Sequence, residues 1–140
     1  MLSNRSIPCA TVIPVLAYPD VNRAAAWLCD AFGFSVRLRI GNHRVQLNVG
    51  DGAVILREMR VNELNAAPGT GHSVLVRVGD ADAHFNRARD YGARITQEPV
   101  THAYGERQYN ADDCAGHSWT FSQSMEDVDP KDWGGVAGQP

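Results

Sequence analysis

The stretch "VIPVLAYPDVNRAAAWLCDAFGFSVRLRI" at residues 12–40 decides the fold, because the chain repeats its pattern once. An apolar run leads to Asp20, a helical pattern follows, and Gly33 precedes a second apolar run. The stretch "HSVLVRVGDADAHFNRARDYGARI" has the same order, with Asp80 and Gly92 at the matching places. The separation between aspartate and glycine differs by only one residue between the two copies. An internal repeat of this kind predicts two modules of the same architecture.

Each copy carries the start and stop signals of a helix. Asp20 and Asp80 are placed to accept hydrogen bonds from the free backbone N–H groups of a first helical turn. Gly33 and Gly92 suit the left-handed backbone conformation that ends a helix. We therefore predict one amphipathic helix in each module. The apolar positions with helical spacing are Val21, Ala24, Leu28 and Ala31 in the first, and Ala81, Phe85, Ala88 and Tyr91 in the second.

Three strand-like runs follow each helix. They cover residues 34–40, 43–49 and 53–59 in the first half, and residues 94–100, 106–111 and 117–124 in the second. The sequence thus predicts an α+β fold, in which two βαβββ modules form curved mixed sheets around a cleft with the helices outside. The expected organisation is a single domain at residues 1–124, made of modules 10–59 and 72–124, a linker at 60–71 between the modules, and a polar C-terminal tail at 125–140.

Composition and charge limit the possible functions. The 140 residues are 44% hydrophobic and 21% charged, which is typical of one soluble globular domain. A net charge of −3 and the lack of a Lys/Arg run argue against nucleic-acid binding. No apolar run approaches the ~18 residues of a membrane span. Cys9, Cys29 and Cys114 form no CxxC pair, so we expect a reduced, cytoplasmic protein without a disulfide framework.

A second motif points to a family. The segment "YGERQYNADDCAGHSWTFSQS" at residues 104–124, together with the duplication over residues 10–124, resembles the vicinal-oxygen-chelate superfamily of glyoxalases, extradiol dioxygenases and bleomycin-resistance proteins. It is most similar to the last hairpin of glyoxalase-like bleomycin-resistance proteins, whose pattern is YGxRxY followed by DPxGHxW. Cys114 and Ala115 stand where the family usually has a proline and an acid, which alters a turn. The resemblance implies a homodimer, since single-domain members usually pair to complete their cavities.

The resemblance also implies where a metal would be held. Metal-dependent members carry His, Gln or Glu on the first and last strands of each module. Counting from the capping aspartates and the hairpin glycines places these positions at Ile13, Leu56, Ser73 and Thr120. Two of these residues have no donor atom, and neutral hydroxyls are poor ligands for Zn²⁺, Fe²⁺ or Mn²⁺. We therefore predict no metal, no cofactor and no catalytic residue.

Two residues keep an enzymatic alternative open. Glu58 has the strand parity of Leu56 and is either a cleft carboxylate, able to act as a metal ligand or general base, or an exposed strand end. His72 neighbours Ser73, but a slip of one residue turns a side chain to the opposite face of a sheet. The alternative function is a metal-dependent glyoxalase-like lyase, isomerase or dioxygenase.

Strand parity gives the lining of the expected cleft. Trp119 and Phe121 face the helix layer, and His117 is interpreted as a turn or packing residue, not a ligand. Tyr104 is either a stacking platform for a planar ligand or a loop anchor. Arg107 either contacts an anionic or carbonyl-bearing ligand or forms a salt bridge at a strand end. The cleft floor is apolar with scattered hydroxyls: Ile13, Val15, Leu56, Ser73, Leu75, Ser118 and Thr120.

Such a lining suits a medium-sized hydrophobic or aromatic molecule. We expect a metal-independent protein that binds and sequesters such a compound, for example an antibiotic in a resistance role. The expected partners are this small molecule and a second copy of the chain, and neither nucleic acid nor a membrane.

Overall fold

The computed structural model describes residues 1–65 and 71–138, so residues 66–70 of the predicted linker and 139–140 of the predicted tail lie outside the described part. Within it, two modules follow each other. The first contains β1 (Val15–Tyr18), α1 (Val21–Phe32), β2 (Ser35–Ile40), β3 (Arg44–Val49) and β4 (Gly52–Glu58). The second contains β5 (Val74–Arg77), α2 (Ala81–Tyr91), β6 (Arg94–Thr101), β7 (Glu106–Asp112) and β8 (Ser118–Ser124). The predicted α+β fold of two βαβββ modules is confirmed.

Each module arranges its strands in one four-stranded mixed sheet. The strand order is β1-β4-β3-β2 in the first sheet and β5-β8-β7-β6 in the second. The first strand of each module runs parallel to the last, with Val15 in register with Ile55 and Leu75 in register with Thr120. The remaining neighbours are antiparallel. Because the two sheets share this order, each position in one sheet has a counterpart in the other.

The predicted helix signals act as expected. Asp20 accepts a hydrogen bond from the backbone N–H of Arg23, and Asp80 accepts one from that of Ala83, both at 3.0 Å. Gly33 ends α1 with a φ of 79°, a left-handed conformation in which a side chain would be strained. Neither helix in the described residues is long and apolar enough to cross a membrane.

Both helices and the helix-facing sides of both sheets share one core. The ring of Phe32, at the end of α1, lies 5.7 Å from Trp119 and 4.7 Å from Phe121, both on β8. Trp119 and Phe121 are fully buried, which confirms their predicted facing. Across the modules, the His84 ring of α2 also hydrogen-bonds the carbonyl oxygen of Phe32 at 2.8 Å. We call the opposite side of each sheet, away from the helices, its open face.

Candidate functional site

The open face of the second sheet carries a pocket of about 340 Å³. Three of its lining residues come from β6 and the loop after it, and three come from β7 and β8. The lining consists of Gln97, Val100, His102, Gln108, Asn110 and Thr120. Amide side chains make up half of this lining, so the pocket is more polar than the sequence predicted.

Side chains on β7 and β8 pair across the strands beneath this pocket. The Thr120 hydroxyl donates to Oδ1 of Asn110 at 2.8 Å, and these residues are direct neighbours in the antiparallel ladder. Nε2 of Gln108 donates to the hydroxyl of Ser122 at 3.0 Å, again between ladder neighbours. Cross-strand pairs of this kind hold both side chains in defined orientations. The floor of the pocket is therefore organised before any ligand arrives.

These pairs decide which polar groups the pocket offers to a ligand. Oδ1 of Asn110 is engaged by Thr120, whereas its Nδ2 group contacts no acceptor among the described residues. Oε1 of Gln108 accepts a hydrogen bond from the Tyr104 hydroxyl at 3.1 Å, and Nε2 retains a second proton beyond the one given to Ser122. The pocket thus presents N–H donors, which suit a ligand with carbonyl acceptors.

An aromatic stack forms one side of the pocket. The rings of His102 and Tyr104 are parallel, with centroids 4.9 Å apart. The Tyr104 ring also packs against Trp133, with ring centroids 5.2 Å apart. Trp133 lies in a short 3₁₀ helix of the C-terminal tail (Pro130–Trp133). Tyr104 is half-buried and its hydroxyl is hydrogen-bonded, so it has the character of a loop anchor. His102 is the member of the stack that lines the pocket.

Several predicted site residues do lie on the open faces. Ser118 and Thr120 alternate with buried residues of β8. Leu75 alternates with the partly buried Val74 and Val76 of β5 and is 60% exposed. Val15, the counterpart of Leu75 in the first sheet, is 48% exposed. Two further predicted residues lie outside the strands: Ile13 is two residues before β1, and Ser73 is the residue before β5.

The placement of Leu56 in the cleft is wrong. Leu56 is fully buried in the core and is in register with Leu16, on the helix side of β4. The β3–β4 and β7–β8 hairpins place their glycines differently relative to the following strand. Gly52 is already part of β4 and pairs with Val49, whereas Gly116 lies in the turn before β8. Counting from the two glycines therefore shifts the first sheet by one position, and the true counterpart of Thr120 is Ile55.

The same shift removes Glu58 from the predicted lining, since it shares the parity of Leu56. Glu58 is the last residue of β4 and is exposed, which matches the strand-end alternative. Arg107 also lies away from the open face, because it has the parity of the buried Tyr109. Its guanidinium pairs with Asp82 of α2 at 3.0 Å, as the salt-bridge alternative predicted.

Two charged residues of β7 reach the open face: Asp112, at the far end of the strand, and Glu106, beside Arg107. The Glu106 carboxylate accepts a hydrogen bond from the Ser122 hydroxyl at 2.7 Å. Hydrogen bonds from Ser124 and Ser122 hold the pKa of Glu106 below its usual range. A carboxyl group with a lowered pKa is a weaker base, so Glu106 is poorly suited to remove a proton from a ligand.

The residues present do not fit the metal that the family implies. With the corrected register the four positions are Ile13, Ile55, Ser73 and Thr120, and the hydroxyl of Thr120 is already bonded to Asn110. In residues 1–65 and 71–138, no three His, Cys, Asp or Glu side chains come together as a metal site would require. Two alkyl chains and two neutral hydroxyls are not a ligand set for a divalent transition metal.

The surroundings of His117 and Cys114, in the last hairpin, favour a structural role for both residues over a catalytic one. His117 is buried, its Nε2 donates to the carbonyl oxygen of Ala17 at 2.7 Å, and its ring packs 4.8 Å from that of Tyr18. The interpretation of His117 as a packing residue is confirmed. Desolvation and the neighbouring Asp113 raise the pKa of the Cys114 thiol to about 11, which disfavours the nucleophilic thiolate.

Five lining residues, Gln97, Val100, His102, Gln108 and Asn110, were missed by the sequence reasoning. Gln108 and Asn110 alternate with Tyr109 and Ala111 along β7, and this alternation was a usable signal. His102 and Gln97 carried no such signal, because a bulged pairing of β6 with β7 and the following turn set their orientation.

Comparison with known proteins gives the same fold. The chain is 34% identical to TioX from Micromonospora sp. ML1, whose crystal structure superposes with a TM-score of 0.68 over 86% of this chain and 100% of that one. A glyoxalase/bleomycin resistance protein/dioxygenase from Nocardioides is 16% identical (TM-score 0.63; 100% of this chain, 92% of that one). A lactoylglutathione lyase from Agrobacterium tumefaciens is 19% identical (TM-score 0.64; 84% and 96%). The last two likenesses concern the fold alone.

No curated protein sequence matches the chain significantly. The family model of the glyoxalase/bleomycin resistance protein/dioxygenase superfamily matches residues 11–121, which span β1 to β8. The resemblance expected from the sequence is therefore confirmed both by the match to this family model and by the fold. The chain belongs to the glyoxalase/bleomycin resistance protein/dioxygenase superfamily.

Proposed function

We propose that this protein binds and sequesters a hydrophobic or aromatic small molecule that bears carbonyl groups, such as an antibiotic, without using a metal. The observation that carries the proposal is the geometry of Asn110. Thr120 fixes its amide so that Nδ2 serves as a donor in the pocket that is also lined by His102, whose ring stacks on that of Tyr104. A hydrogen-bond donor next to an aromatic wall recognises a planar molecule with a carbonyl oxygen.

Two features favour binding over turnover. The positions at which metal-dependent relatives hold their ion carry no suitable donors here. The pocket lining also lacks a carboxylate or a thiol that would serve as base or nucleophile. Sequestration needs only affinity, and the amide and aromatic side chains of the lining supply the groups for it. Membership of a family that includes bleomycin resistance proteins agrees with a resistance role.

The proposal includes a homodimer and a cytoplasmic setting. Val15 and Leu75 leave apolar area exposed on the open faces, at 48% and 60%, and a second copy that covers them would deepen the pocket. Light scattering during size-exclusion chromatography tests the dimer, and a monomer at 100 micromolar would contradict it. Cys9, Cys29 and Cys114 are all free thiols, which favours a reducing compartment.

The experiment compares three forms of the full chain: wild type, Asn110→Ala, and the matched control Asn86→Ala, whose residue is exposed on α2. Bleomycin and a panel of aromatic amide antibiotics serve as probes in thermal-shift and calorimetric titrations. We expect at least one probe to bind the wild type, with affinity about 3–10-fold weaker in Asn110→Ala, as loss of one neutral hydrogen bond implies, and unchanged in Asn86→Ala.

Metal dependence is tested in the same titrations. Affinity should be the same with and without EDTA, because no metal takes part. Binding that disappears on chelation, together with about one bound ion per chain, would replace this proposal with the metal-dependent alternative. A complete lack of binding across the panel would contradict the proposed ligand class.

A further inference from the structure

Residues 4–8 of the N-terminal segment lie across the open face of the first sheet. Nε2 of Gln46, on β3, donates to the carbonyl oxygen of Ser6 at 2.9 Å. Gln46 is only 2% exposed although its side chain points away from the core. Pro8 is buried as well, whereas most of its neighbours in the N-terminal segment are exposed. The segment therefore covers this part of the sheet.

Arg37 of β2 makes a second set of contacts with the same segment. Its Nη2 donates to the carbonyl oxygens of Arg5 at 3.0 Å and Ile7 at 3.2 Å. Its Nη1 donates to Oε1 of Gln46, so the two side chains act as one unit. Three successive main-chain carbonyls are thus bound, and no side chain of the segment takes part in these hydrogen bonds. Recognition of this kind depends on backbone shape more than on sequence.

The site of these contacts is the counterpart of the pocket on the second sheet. In the first sheet Gln46 is in register with Ile55, which is in register with Val15. In the second sheet the same three positions hold Asn110, Thr120 and Leu75. Both open faces therefore carry an amide side chain at the same place. On the first sheet that amide is satisfied by a peptide carbonyl from the chain itself.

We propose that the open face of the first sheet is a binding site for a main-chain turn, recognised by Arg37 and Gln46 through its carbonyl oxygens. Residues 4–8, in which the Ile7 N–H donates to the carbonyl oxygen of Asn4 at 3.3 Å, occupy this site as an internal competitor. An external peptide or peptide-like amide binds there only when it displaces the segment. The proposal concerns the first sheet and does not depend on the function proposed for the pocket of the second.

The first test measures whether the segment is held in place. Trypsin cleavage after Arg5 is compared in the full-length wild type, in Pro8→Asp, and in the control Thr11→Asp, which adds the same charge at an exposed position. Pro8→Asp places a charge at a buried position and should release the segment, so cleavage after Arg5 should accelerate about 10-fold or more. Thr11→Asp should behave as wild type. Equal cleavage in all three forms would overturn the proposal.

The second test measures whether the N-terminal segment binds the site when it is added as a separate peptide. The probe is a fluorescein-labelled, C-amidated peptide of residues 3–8, Ser-Asn-Arg-Ser-Ile-Pro, and the readout is fluorescence anisotropy. We expect saturable binding to Pro8→Asp, little binding to wild type, and about 10-fold weaker binding to the double variant Pro8→Asp/Gln46→Leu. Equal binding to Pro8→Asp and to the double variant would overturn the proposal. A wild-type dimer that Pro8→Asp dissociates would also overturn it, since the segment would then occupy a second copy.

Discussion

The hydroxyl of Tyr18, at the end of the first strand, donates a 2.5 Å hydrogen bond to the buried carboxylate of Asp113 in the last hairpin. Asp113 also accepts hydrogen bonds from the backbone N–H groups of Ala115 and His117 and from the indole N–H of Trp119, all at 3.0 Å. One carboxylate thus joins the last hairpin to the first module. Burial and the nearby Asp113 raise the pKa of Tyr18, so its hydroxyl remains a donor across the physiological pH range.

Replacing Tyr18 with Phe should lower the free energy of unfolding by about 1–3 kcal/mol, because Asp113 loses a donor in a buried place. Urea unfolding followed by circular dichroism measures the change. The matched control is Tyr91→Phe, whose hydroxyl bonds to Asp30 at the surface at 3.2 Å and should change stability by less than about 0.5 kcal/mol. Equal effects of the two substitutions would show that the contact between Tyr18 and Asp113 adds no stability.

Substitutions at Leu56 and Leu75 distinguish the observed strand register from the register that counting along the sequence predicts. Leu56→Ala should cost about 2–5 kcal/mol, since it leaves a cavity in the core. Leu75→Ala should cost less than about 1 kcal/mol, because that side chain is 60% exposed. Thermal and urea unfolding of both variants give the comparison. If both leucines lay on the open face, the two costs would be alike.

The fold was predictable because its signals are local. The capping aspartates, the helix-ending glycines and the alternation along the strands each act within a few residues, and all of them agree. The site was less predictable because it depends on register. A single residue in the turn after Val49 moved Leu56 into the core and brought Ile55 to the open face. Arg107 shows a second limit, since its partner Asp82 lies on a helix and only the fold brings them together.

His84 should make stability depend on pH. Burial lowers its pKa below the ordinary value of about 6.5. The folded state keeps the ring neutral, whereas the unfolded chain takes up a proton as the pH falls below about 6.5. The contribution of His84 to stability is therefore present above that pH and is lost below it, with a slope of at most about 1.4 kcal/mol per pH unit.

The pH effect is measured as the free energy of unfolding at pH values from 7.5 to 5.0. His84→Gln should have a shallower slope than the wild type over this range. His43→Gln, at an exposed position, should keep the wild-type slope. A slope unaffected by His84→Gln would contradict the assigned origin of the effect.

Cys9 and Cys114 should differ in their reaction with iodoacetamide. Desolvation and Asp113 raise the pKa of Cys114 to about 11, so only ~0.1% of it is thiolate at pH 8. Cys9 and Cys114 are both at exposed positions, so the raised pKa of Cys114 is what separates them, and we expect Cys9 to be alkylated about 10-fold faster. Peptide mass spectrometry over time gives both rates. The rates should converge in 8 M urea, and equal rates in the native protein would contradict the prediction.

Phe32 and Phe34 belong to the first module, but their rings lie against Trp119 of the second. Either half produced alone would turn this aromatic surface toward water, so the separate halves should be poorly soluble. Mixed during refolding, they should reassemble into the native arrangement. The chain is accordingly suited to a two-piece reporter, in which a signal arises only when both fragments meet.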